Sequence, residues 1–357
     1  MSNTTTSAGA ESRGKEASGL GNRIREYIVR VLNGMALGLF ASLIIGLILE
    51  QIGLYTGLEL VQQFGETGQR LMGPAIGVGV AYSVTAPPLG MFAAVVTGAI
   101  GAGTVVRADA GIMLEIGEPV GALVAALVGA ELSRLVAGRT RMDIIVVPAT
   151  AILAGGLTGF FLAPAVAALM TGIGGFVNLL TGLYPLPMGI LVAVTMGMML
   201  TLPISSAAIA ISLGLSGLAA GAATIGCACQ MVGFAASSFR ENRFAGLISQ
   251  GLGTSMIQIP NIVRNPLIWI PPTVTAAILG PIGTVVFAME SNRVGAGMGT
   301  SGLVGQFATL ETMGSTGIPW MILLHFALPA VISLAISEYM RRKNWIRFGD
   351  MALHVEG

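Results

Sequence analysis

Side chains able to do chemistry are scarce in this 357-residue chain, and most of them sit beside helix breakers. Three stretches hold them. The first is IPNIVRNPLIWIPP, Ile259–Pro272, with four prolines, two asparagines and an arginine between apolar runs. Pro260 and Pro266 donate no backbone N–H and disfavour helix at the residue before them. Asn261 and Asn265 can satisfy the freed backbone groups or hold a polar ligand. Asn265-Pro266 also makes a good helix start. A turn at a membrane surface, with Arg264 in water and Trp269 in the aromatic belt, accounts for the same residues.

The second stretch is TLPISSAAIAISLGLSGLAAG, where Pro203 interrupts an apolar run and Ser205 and Ser206 follow. Their hydroxyls can repair the broken backbone bonds. They can equally bind a polyhydroxylated or anionic solute at a helix start. The third is GAGMGTSGLVGQFATLETMG, Gly295–Gly314. So many glycines make a poor helix and a good close-approach loop. Thr300, Ser301 and Gln306 offer neutral hydrogen bonds there, as a substrate-facing hairpin or as a surface loop.

Ionisable groups inside apolar runs are costly and mark candidate sites. Glu118, in IMLEIGEPVGAL, Glu311, beside the Gly-rich stretch, and His325, in the last apolar run, could couple protons or solute. Glu131 and Arg134 read as an ordinary helix pair. Cys227 and Cys229, in TIGCACQMVGF, have no acid or histidine close by, so they read as small buried side chains rather than metal ligands. No nucleotide loop, metal motif or hydrolase signature is present, and no catalytic residue or cofactor is expected.

The elements that must position these residues are membrane helices. The chain is 54% hydrophobic and 10% charged, with a mean hydropathy of +0.82. A soluble domain carries about 25% charged residues, so the chain reads as an integral membrane protein whose surroundings are the lipid bilayer. A net charge of +1 gives no field for nucleic acid. Apolar runs span Val31–Ile52, Leu71–Thr85, Leu89–Val106, Val120–Val136, Ile144–Ala168, Leu186–Leu202, Ile204–Ala223, Ile225–Ala236, Ala245–Ile259, Leu267–Phe287, Leu303–Met313 and Ile318–Tyr339. Several are too short or too broken to cross as straight helices. Such segments persist at bilayer depth only where protein or a cavity satisfies their backbone. The expected fold is therefore all-α: a polytopic bundle of about ten crossings with re-entrant hairpins.

Residues 1–22 read as a disordered cytoplasmic tail, 23–343 as the membrane domain, and 344–357 as a short cytoplasmic tail. Basic clusters at Arg23–Arg30, Arg134–Arg141, Arg240–Arg243 and Arg341–Arg347 put both termini in the cytoplasm.

Several motifs together resemble one family: MGPAIGVGVAYSVTAPPL, LPISSAAIAISLGLSGLAAGAATIGCACQMVGF, GLGTSMIQIPNIVRNPLIWIPPT, GAGMGTSGLVGQ and SEYMRRKNWIRFGDM. It is the EIIC-like group that contains the perfringolysin-regulator-type proteins, similar to the sugar-transporting membrane subunits of the bacterial phosphotransferase system. The resemblance runs from about Ile24 to Met351. It implies an EIIC-like bundle in the bacterial inner membrane, a homodimer, and a small polar solute, a sugar being the expected class, held near the hairpins. In better-known members a segment resembling LPIVLNP follows a glutamate-bearing hairpin. IPNIVRNP resembles that segment and places GTSMIQ, Gly253–Gln258, at the hairpin. There the chain offers Thr254, Ser255 and Gln258 and no glutamate. Phosphoryl chemistry would lie on a separate EIIB protein, since the cysteines here are in a membrane run. An EIIC-fold sensor, or a permease working without phosphorylation through Glu118, Glu311 or His325, fits the same residues.

Overall fold

The computed structural model describes residues 6–108 and 111–353. Helix α1, Thr6–Leu39, begins inside the segment expected to be a tail and runs through a π-turn, Phe40–Ile44, into α2, Ile45–Thr56. The amphipathic α3, Glu59–Arg70, folds back against α2. Then α4, Met72–Ser83, continues the return along α1. Helix α5, Pro88–Ala102, starts at the Pro87–Pro88 pair and ends at Gly103 in a left-handed conformation. A two-stranded antiparallel hairpin follows, β1 Val105–Ala108 with β2 Gly111–Leu114. Helices α6, Pro119–Val136, and α7, Asp143–Thr181, complete the first half, which packs around an apolar core including Met35, Leu39, Ile76 and Val80.

The second half is built around α10. Helix α8, Pro185–Thr201, the short α9, Ser206–Ser212, and α10, Gly217–Ser237, are followed by α11, Phe239–Ile248. Helix α10 is buried almost throughout and touches α8, α13 and α16. After the broken stretch Ser249–Gln258 come α12, Ile259–Arg264, and α13, Ile270–Pro281. The chain ends with α14, Val304–Met313, α15, Ile318–Ile322, and α16, Leu328–Arg342. Helix α12 rests on α1, and α7 on α8 and α9, which joins the halves.

Six helical stretches among the described residues are long and apolar enough to cross a membrane, and α5 and α8 are shorter apolar helices. The all-α membrane bundle expected from composition is the fold observed. Several boundaries differ from the sequence reading, those of α10 and α7 among them. Ile204–Ala223 and Ile225–Ala236 are not two runs divided at Thr224. Helix α10 passes unbroken through that point, because the Thr224 hydroxyl bonds back to the Ala220 carbonyl at 2.8 Å and satisfies itself within the helix. The run at Ile144 does not stop at Ala168. Helix α7 carries on through its glycines to Thr181.

Three breaks, at 203–206, 249–258 and 295–303, satisfy one another's backbone, and the 259–272 stretch takes no part in this. Ser206 Oγ donates to the Gly297 carbonyl at 2.7 Å, Ser301 Oγ to Gly253 at 2.7 Å, and Thr300 Oγ1 to Gly251 at 2.5 Å. The Gly-rich hairpin turns at Gly299 and Gly302, with φ of 55° and 53°, a conformation that costs a residue with a Cβ.

The last described residues are packed rather than free. Ile346 and Met351 are buried with Phe234, Ile262 and Ile268, and residues 344–353 form a strap across the end of the hairpin that precedes α12.

Candidate functional site

The three breaks and the α2–α3 pair enclose a cavity of about 860 Å³. The floor is made by Ile204, Ser205 and Ser206, by Gly253 and Thr254, and by Gly297 and Ser301. One wall is α2–α3 with Glu50, Glu66, Gln69 and Arg70. The other is the segment before α6 with Glu115 and Glu118. Leu43, Ile44, Leu47, Met72, Leu200 and Met298 supply apolar surface. A mostly apolar cleft with a few convergent polar groups is the usual form of a small-molecule site.

Each polar group is placed for a local reason. Ser205 caps α9, its Oγ accepting from Ala208 N at 3.2 Å. Thr254 has extended backbone and its Oγ1 accepts from Met256 N at 3.2 Å, starting the next turn. Glu118 precedes Pro119 at the first position of α6, yet its carboxylate does not cap that helix. It reaches to the other half, where Oε2 accepts from Ser205 N at 3.3 Å. Glu118 lies ahead of the spanning helix, and burial, opposed by the Ser205 N–H, pushes its pKa up to about 7. On the opposite wall Gln69 Nε2 donates to Glu50 Oε2 at 2.5 Å. Arg70 bonds the Leu114 carbonyl at 3.2 Å and stands 3.9 Å from Glu66.

The sequence-predicted residues divide into five groups. Ser205, Ser206, Ser301 and Glu118 line the cavity. Ser255 stands directly behind it, its Oγ 2.8 Å from Thr201 Oγ1, in a buried network with Gln230. Thr300 is also behind, spent on Gly251. Gln258, Asn261 and Asn265 face the strap instead. Gln258 Nε2 donates to Met351 O at 3.0 Å, Asn261 Nδ2 to Ala352 O at 2.9 Å, and Asn265 Nδ2 to Asp350 Oδ2 at 2.8 Å. Gln306 and His325 form a buried pair, Nε2 to Nδ1 at 3.1 Å, on α14 and a π-turn, Leu323–Ala327. Glu311 is exposed and accepts from Asn292 Nδ2 at 2.9 Å. Glu50, Gln69 and Arg70 were not among the expected residues, because an acid at a helix end reads as interfacial. The signal that could have found them is the amphipathic pattern of ELVQQFGETGQR, a helix needing a partner for one face.

Among the described residues no group of three or more histidines, cysteines, aspartates or glutamates is arranged to hold a metal ion.

A membrane bundle whose broken segments meet at a cavity with a few convergent polar groups has the architecture of a solute-transport subunit. Residues 29–353 match the family described as phosphotransferase system, EIIC. The chain belongs to that family and is a multi-pass membrane subunit of phosphotransferase type. No curated protein and no solved structure matches it.

Proposed function

We propose that this protein binds a small polar solute of the sugar class in the 860 Å³ cavity and carries it across the bacterial inner membrane by alternating access. A single observation carries the reading: hydroxyl-bearing residues of all three broken segments, Ser206, Thr254 and Ser301, converge on one cavity. The site residues in this reading are Ser205, Ser206, Ser301, Thr254 and Glu118. Ser255 and Thr300 hold the hairpins in place from behind. Both termini face the cytoplasm, where a separate EIIB protein supplies phosphate to the emerging sugar. The chain works as a homodimer. Helix α7 offers it an apolar face, with Leu153, Leu157, Phe160 and Phe161 all exposed.

A second reading, an EIIC-fold sensor, draws on the absence of a glutamate from GTSMIQ at the hairpin tip.

Both make the same first demand, selective binding. Purified protein is heated in detergent with a panel of hexoses, polyols and small anions, and uptake into vesicles is measured with and without an EIIB protein. A bound solute at a hundred times its Kd stabilises the native state by about 2.7 kcal/mol. Ile204→Trp, which fills the cavity with apolar volume, is expected to abolish that shift while leaving the unliganded protein folded. A hexose shift with uptake supports the transporter, and a shift without uptake supports the sensor. A shift that survives Ile204→Trp removes the cavity as the site.

A further inference from the structure

The cavity is short of positive charge. Glu50, Glu66, Glu115 and Glu118 line it, and Arg70 is the only cation among its described lining residues. Three of these acids are poor candidates for solute contact. Glu66 stands beside Arg70 and accepts from Gln62 at 3.2 Å, and Glu50 is spent on Gln69. Glu115 is exposed on the segment before α6. Glu118 differs in both partner and place. It is half-buried, and its bond is to one backbone N–H, Ser205 N at 3.3 Å. A carboxylate offers about four lone-pair positions, so most of its accepting capacity is left for the cavity.

Its neighbours are complementary. Ser205 lies next to it, and Thr254 and Ser301 stand on the floor of the same cavity. Hydroxyls both donate and accept, whereas an ionised carboxylate only accepts. The molecule that satisfies this set carries neighbouring O–H groups, two of which can bond one carboxylate together. An anion entering the same space meets an excess of negative charge in a setting that screens it less than water does.

Resting on the reading given above, we propose that Glu118 is the specificity-determining residue of the cavity. It accepts hydrogen bonds from the hydroxyls of a neutral, polyhydroxylated solute, and the surrounding carboxylates turn away anions, phosphorylated sugars included. The site thereby admits the unmodified solute and disfavours return of any phosphorylated product.

Burial favours the protonated form of Glu118, so its own contribution to stability is present at low pH and is lost as pH rises through about 7. Solute binding runs the other way, because it draws on the carboxylate. Glu50, Glu66, Glu115 and Arg70 are the other ionisable groups around it, from α2, α3 and the segment before α6, while α9 and the hairpin tips contribute only hydroxyls.

The test uses full-length protein in detergent with four probes: glucose, mannitol, glucosamine and inorganic phosphate. Thermal shifts are titrated at pH 6 and pH 8 for the wild type, Glu118→Gln and Ile204→Trp. Glu118→Gln is isosteric and its amide oxygen still accepts from Ser205 N. The expected result is that glucose or mannitol binds, phosphate does not, and affinity at pH 6 is up to tenfold weaker than at pH 8. Glu118→Gln then weakens binding by about tenfold or more and flattens the pH dependence. Unchanged affinity in Glu118→Gln, with loss in Ile204→Trp, overturns the role of Glu118 and leaves the cavity reading standing. Preference for phosphate or glucosamine over glucose overturns the solute class. Binding of no probe by the wild type, together with no uptake of any, removes both.

Discussion

Glu241→Ala is expected to lower the stability of the folded protein by about 3–5 kcal/mol, one of the largest single-residue effects available in the molecule. Glu241 Oε1 lies 2.8 Å from Arg341 Nη2, and the two side chains are 1% and 9% exposed. The same guanidinium bonds the Ser237 carbonyl at 3.1 Å, and Gly349 N donates to Glu241 Oε1 at 3.4 Å. The pair therefore ties α11 to α16 and to the strap. Removing the carboxylate leaves a largely buried guanidinium without its anion. Removing both partners together leaves no such orphan, so Glu241→Leu with Arg341→Met should recover most of the loss. Denaturant unfolding in detergent, followed for the single and double variants, measures the difference. A double variant no better than the single one would mean that the strap, rather than the charge, is what the pair supports.

Gly226→Val should be comparably damaging, at about 3 kcal/mol or more, by a different route. A Cβ on Gly226 would overlap the Ala193 carbonyl of α8, and Gly197 on α8 meets the Gly226 carbonyl in return. The obstruction is backbone, so no rotamer change relieves it and the helices must separate. In a bilayer, helix association depends on such close packing because lipid is as apolar as leucine. Gly175→Ala gives the contrast. Nothing lies within 4 Å of its Cβ position, and it sits inside α7. The extra methyl should raise stability by up to about 1 kcal/mol through helix propensity. Melting curves of the two variants are expected to move in opposite directions.

The membrane class was legible in composition, because 10% charged residues cannot clothe a water-facing surface. The breaks were legible too, since proline and clustered glycine act on the backbone directly. Their meeting in space was not, because that depends on Ser206, Thr300 and Ser301 finding carbonyls far along the chain. Asparagine and glutamine were the weakest guides. Gln258, Asn261 and Asn265 have the chemistry to hold a solute, and in this fold they hold carbonyls and a carboxylate of the chain's own last residues. Residue type alone does not separate those two uses. The wall formed by Glu50, Gln69 and Arg70 was hidden for a related reason. It arises only when α3 folds back on α2, which places Gln69 beside Glu50.

The strap has a consequence for the order in which the molecule is made. Its hydrogen bonds run from Asn242, Gln258, Asn261 and Asn265 to residues 345–353, which are synthesised after all of them. Helices α1–α16 can insert one after another as they emerge. The stretch before α12 has to wait for this fastening until the strap beyond α16 has been made. The cavity floor that carries Thr254 is thus fastened only after α16 has been made. A premature stop after α16 leaves every helix in the membrane and the floor without its fastening.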